Sequence, residues 1–86
     1  MADLMVFFLE QGNAFTLEYG DIDAGFYSAL MAMARRAAEV ICSLPLNLQE
    51  PLRERLGEVV RSSSGIGWGY HDNLADIYAD AFPDRR

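Results

Sequence analysis

The chain of 86 residues contains no lysine, one cysteine, one histidine and three prolines, and no long apolar run. Each shortage excludes something. Seven arginines against 13 acids leave a net charge of −6, and a phosphate backbone repels such a chain unless basic residues gather locally. Arg35, Arg36, Arg53, Arg55 and Arg61 are interleaved with Glu39, Glu54 and Glu58 and form no such patch. No nucleic-acid partner is therefore expected. Cys42 lies in an apolar helical run with no partner in the chain, which excludes a disulfide framework and predicts a buried thiol in a reducing cytoplasm. The run "LMVFFL" is far shorter than the ~20 residues of a membrane span and lacks the basic flank of a secretory leader. The reading is a soluble, cytoplasmic protein with no membrane partner and no cofactor.

What is present is ordinary for a globular chain: 51% apolar and 23% charged residues. The length suits a single domain, residues 1–86, with helices at about 3–19, 22–42, 48–62 and 70–82. In the first, Leu4, Phe8, Phe15 and Tyr19 recur on one helical face, Asp3 stands as a cap, and Gly20 ends the run. A hairpin turned at Gln11–Gly12–Asn13 is the rival reading, but neither arm alternates apolar and polar residues, so helix is preferred. The second carries six alanines, the best helix former, with Asp21 and Asp23 placed at its start.

Phe26, Leu30, Met33, Ala37 and Ile41 form the inward stripe of this second helix, widened by Tyr27, Met31 and Ala34 beyond the usual ~100°. That surplus predicts a symmetric dimer contact at Tyr27, Met31, Ala34 and Ala38. The third helix starts between Asn47 and Glu50, whose spacing fits a capping box, with Pro51 in its first turn. The fourth turns Leu74, Ile77, Tyr78 and Phe82 inward and Asp72, Asp76 and Asp80 outward, and "PDRR" reads as a loose tail. The expected fold is all-α, a compact bundle of about four helices with short connections.

The unusual stretch is "SSSGIGWGYHDN", residues 62–73. Glycines ahead of a helix N-terminus can cradle an anion, but phosphate loops follow a strand and this one follows a helix. His71 with Asp72 and Asp76, joined by Asp21 or Asp23, offers metal ligands, yet His71 and Asp72 diverge by about 100° around a helix and Asp76 points away from His71. The third reading is a connector. Gly65, Gly67 and Gly69 let the chain turn, and Trp68 and Tyr70 drop into the core. His71 then bonds a nearby acid, Asp21 or Asp23, and Asp72 or Ser64 caps. The connector is preferred, and no catalytic or metal-binding residue is assigned.

"YGDIDAGFYSAL" and "GIGWGYHDNLADIY" resemble paired motifs in uncharacterised bacterial proteins, with Gly67, Trp68, Gly69, His71 and Asp72 carrying the likeness. The resemblance implies that Asp21–Tyr27 and Gly65–Asp72 are neighbours in space. The expected function is a non-catalytic interaction module that pairs with itself or packs on a larger protein. Two other classes remain open. One is a small metal- or phosphate-dependent enzyme centred on His71, and the other is an acidic decoy that occupies a basic partner.

Overall fold

A computed structural model describes residues 1–83. Four α-helices, α1 (Ala2–Tyr19), α2 (Ala24–Cys42), α3 (Leu46–Ser62) and α4 (Tyr70–Ala81), follow one another, with a single 3₁₀ turn at Ser63–Gly65 after α3. No strand occurs among the described residues, so the hairpin alternative for residues 1–20 is not adopted. Of the "PDRR" tail, residues 84–86 lie outside the described residues.

Local signals set most of the breaks. Gly20 takes the left-handed conformation (φ 75°) and returns its N–H to the Thr16 carbonyl at 2.8 Å, closing α1. Three residues later Asp23 is extended, and its Oδ1 accepts the Phe26 N–H at 2.7 Å, so α2 starts at Ala24 and not at residue 22. Asp3, expected to cap α1, lies instead inside its first turn, and Met1 precedes the helix with no side-chain cap bond.

The start of α3 departs from expectation. It begins at Leu46, just after Pro45, and Pro51 sits inside it. The Leu48 and Gln49 N–H groups bond the Pro45 carbonyl at 2.9 and 3.0 Å, so no Asn47–Glu50 box forms. Gln49 also donates from Nε2 to the Leu44 carbonyl at 3.0 Å, which ties the connector to the new helix.

The core is drawn from all four helices: Val6 and Leu9, Leu30 through Ile41 along α2, Leu52, Leu56 and Val59, then Ile66, Tyr70, Leu74 and Phe82. Helix α2 packs against the other three. Met31, Ala34 and Ala38 are therefore buried inside the chain, Met31 being only 3% exposed, and are not a free dimer surface. Three neighbours cover the extra width that looked unpartnered. Cys42 is likewise corrected. It is exposed at the end of α2, with its thiol donating to the Ala81 carbonyl at 3.4 Å.

The largest reversal is in α1. Leu4, Phe15 and Tyr19 face solvent, while Ala2, Val6, Leu9, Gly12, Asn13 and Thr16 face the core. Asn13 Nδ2 donates to Ser62 Oγ at 2.7 Å and to the Val59 carbonyl at 3.4 Å, and Thr16 returns its hydroxyl to the Gly12 carbonyl at 2.8 Å. These bonds offset part of the cost of burying polar groups.

A two-bonded ion pair joins α1 to α3: Arg55 Nε to Glu10 Oε2 at 3.0 Å and Nη2 to Oε1 at 2.9 Å. The hydrogen bond from Arg55, aided by its charge and opposed by partial burial, holds the Glu10 carboxyl below the usual carboxylate range. A lowered folded pKa means stability that is present above the unfolded value of ~4.3 and lost as pH falls through the folded value. Both side chains are about one-third exposed, 37% and 33%, so Glu10→Gln is expected to cost below ~1 kcal/mol near neutrality. Urea melts of both proteins should show that difference at about pH 7 and lose it near pH 2. A difference that grows on acidification would contradict the pair's role.

Candidate functional site

Two segments far apart in sequence, Asp21–Tyr27 and Gly65–Asp72, lie side by side. The Tyr27 and Tyr70 rings are 6.0 Å apart, and Asn73 Nδ2 donates to the Tyr27 hydroxyl. Between the segments opens a cleft of about 290 Å³ lined by Asp21, Ile22, Asp23, Ala24, Tyr27 and Trp68. A smaller hollow of about 140 Å³, lined by Thr16, Leu17, Gly20, Gly65, Ile66, Gly67 and Trp68, also borders the indole. Trp68 thus stands between two depressions.

The indole is 55% exposed, whereas Tyr70, two residues on, is 1% exposed. The expectation that both aromatics anchor the core therefore holds for Tyr70 and fails for Trp68. The reason lies in the backbone. Trp68 has φ 55° and Gly69 φ 80°, two consecutive left-handed residues that reverse the chain, and the Tyr70 N–H closes the turn on the Gly67 carbonyl at 3.0 Å. The reversal carries the Trp68 side chain outward and turns Tyr70 in. A bulky residue in this region costs on the order of 1–2 kcal/mol that glycine would not. The indole stays ordered against Tyr70, edge to face at 6.3 Å between centroids.

His71 is half-buried, and its Nδ1 lies 2.9 Å from Ser63 Oγ, not beside Asp21 or Asp23, which line the Trp68 cleft instead. The Ser63 hydroxyl donates to the Val60 carbonyl at 2.7 Å. Its one proton is thereby used, so the imidazole Nδ1–H is the donor and Oγ accepts. Ser63 is fully buried, and no substrate can reach its oxygen. The Ser63–His71 pair is a clasp between the 3₁₀ turn and α4, not a nucleophile with its base.

The remaining cluster members have plainer roles. Gly65 and Gly67 are exposed, and a Cβ built on either would meet no neighbour. Gly69 caps α4, so neither Asp72 nor Ser64 does. Asp72 sits in the first turn of α4, and with Asp76 and Asp80 it faces solvent. Among the described residues no three His, Cys, Asp or Glu side chains converge on a point that could hold a metal ion. Tyr27, expected at a dimer contact, forms a wall of the cleft. Nothing in the local sequence marked Ile22 and Ala24 as cleft residues, since their role depends on the Gly65–Gly69 loop folding over them.

Fold and cleft together define a small all-α protein of four helices with an aromatic and acidic depression at the α1–α2 turn. Comparison with known family models, curated proteins and solved structures finds no match.

Proposed function

We propose that this chain is a non-catalytic interaction module that pairs with a second copy of itself, through the outer face of α1 and not through α2. One observation carries the reading: Leu4, Phe7, Phe15 and Tyr19 are 73%, 52%, 48% and 65% exposed on one side of a single helix. Phe8 and Phe26 extend the patch, with Phe15 against Tyr19 at 4.6 Å and against Phe26 at 5.9 Å.

The spacing favours a copy of the same chain as the occupant. Leu4, Phe7, Phe8, Gln11, Ala14, Phe15 and Glu18 repeat every seven residues, symmetrically about Gln11. An antiparallel partner sets Phe7 against the partner's Phe15 and Gln11 against the partner's Gln11, which is the self-complementarity that two-fold pairing needs. A hollow of about 540 Å³ beside Phe15, Ile22 and Phe26 then lies at the end of the stripe, near the partner's Leu4. The exposed apolar area is roughly 500 Å² per copy, taking 150–250 Å² for a fully buried aromatic. A pair thus buries about 1,000 Å², the lower bound of a specific interface and in keeping with micromolar affinity. A cytoplasmic location suits a chain whose single cysteine, Cys42, is an exposed thiol.

Sedimentation of the wild type from about 1 to 300 μM is expected to show a monomer–dimer equilibrium. Phe7→Glu and Phe15→Glu should each give a monomer of unchanged helix content. Met31→Glu should unfold the chain instead, since that residue is buried. A wild type that stays monomeric throughout the range overturns the proposal.

A further inference from the structure

We propose that the cleft between the α1–α2 turn and the Gly65–Gly69 loop captures an arginine side chain presented by a basic segment of a partner protein. The inference stands apart from pairing through α1. Three features of the cleft converge on a planar cation. Its wall is the exposed indole of Trp68, with the Tyr27 ring also lining it. Two acidic residues line it, Asp21 and Asp23, and Asp23 uses only Oδ1 in capping α2. The space of about 290 Å³ has room for one long side chain.

Aromatic faces attract cations, tryptophan most of all. A guanidinium can stack on the indole while its fork meets a carboxylate, which the compact lysine ammonium cannot do in the same way. The chemistry of the whole chain points the same way. A net charge of −6 with no lysine draws basic partners. Among the described residues, four of the five arginines are engaged: Arg36 with Glu39, Arg55 with Glu10, Arg61 with Glu58, and Arg53 over the Phe82 ring at 4.7 Å.

Trp68 is the only tryptophan, so its emission reports the cleft directly. The probe is a capped Gly-Gly-Arg-Gly-Gly peptide, titrated at low salt alongside its lysine and citrulline counterparts. The arginine peptide is expected to change the emission saturably and the lysine peptide to bind several-fold more weakly. The citrulline peptide, neutral but of similar shape, should give no response. Asp21→Asn with Asp23→Asn removes the charge but keeps a capping side chain, and should weaken the arginine peptide by about tenfold. The control is Asp72→Asn with Asp76→Asn and Asp80→Asn, which takes away more charge outside the cleft and should change little. Running the same titration on Phe7→Glu lets capture at the cleft and pairing through α1 succeed or fail separately. Any of three results overturns the inference: no saturable response to the arginine peptide, an equal response to citrulline, or a control triple variant as weak as the cleft double variant.

Discussion

Tyr70→Ala is expected to remove about 3–5 kcal/mol, the range for emptying a fully buried aromatic site. Tyr70 is one of the largest side chains wholly enclosed by the fold, and it joins the Gly65–Gly69 loop to α4 at the centre of the core. A chain this small holds on the order of 4–13 kcal/mol in total, so the loss ranges from severe to complete. The melting temperature should fall by roughly 15–30 °C, or cooperative melting should disappear. Burial pushes the Tyr70 hydroxyl above its ordinary pKa, an effect the nearby Thr16 side chain partly offsets. Tyr70→Phe keeps the buried ring and should cost no more than about 1 kcal/mol. Trp68→Ala, by contrast, removes an indole that is more than half exposed and relieves a left-handed tryptophan, so its melt should stay close to wild type. Calorimetry on the three variants checks the order. A Tyr70→Ala protein that melts with the wild type would show that the core does not depend on this ring.

The second large effect is at Gly12. A Cβ built there lies 2.5 Å from Leu30 Cδ2 and 3.3 Å from Cδ1, closer than packed carbons approach. Leu30 is fully buried, so its terminal methyls have little room to retreat. Gly12→Ala gains up to ~1 kcal/mol of helix propensity and loses more to the contact, for a net cost of about 1 kcal/mol. Gly12→Val adds two further carbons and should cost about 3 kcal/mol or more. The coupling is testable, because Leu30→Ala opens the space that the valine needs. Alone, Leu30→Ala should cost about 2–5 kcal/mol, and with Gly12→Val the pair should cost clearly less than the sum. Strictly additive losses in urea titrations would show that the two residues do not touch.

Legibility in the sequence followed the range of the interaction. Gly20, Asp23 and the glycines before α4 act on neighbours a few residues away, and each breaks the chain close to where its chemistry says it should. Pro51 misled because proline signals a helix start locally, whereas here five helical residues precede it. The aspartates of α4 face outward as their spacing predicts, since charge needs no knowledge of the partner helices. Sequence pattern pairs His71 with an acid, but the group that meets it is a serine hydroxyl eight residues earlier, held in place by its own bond to Val60.

By itself the sequence determined that the described chain is all-α and, apart from the starts of α2 and α3, where its breaks fall, because capping, left-handed glycine and periodicity are local. Tertiary structure alone decided which faces are inside. Counting apolar residues turns the aromatic side of α1 inward, yet close approach to Leu30 admits only the Gly12 side, and Ser62 and Val59 supply the partners that let Asn13 be buried. The displaced aromatic face became an exposed stripe. In the same way, α2 spent its apolar surplus on three neighbours, and the reversal at Trp68 and Gly69 sent the indole out beside Asp21 and Asp23. Those choices depend on contacts from 18 to 49 residues apart, for which no short stretch of sequence carries a signal.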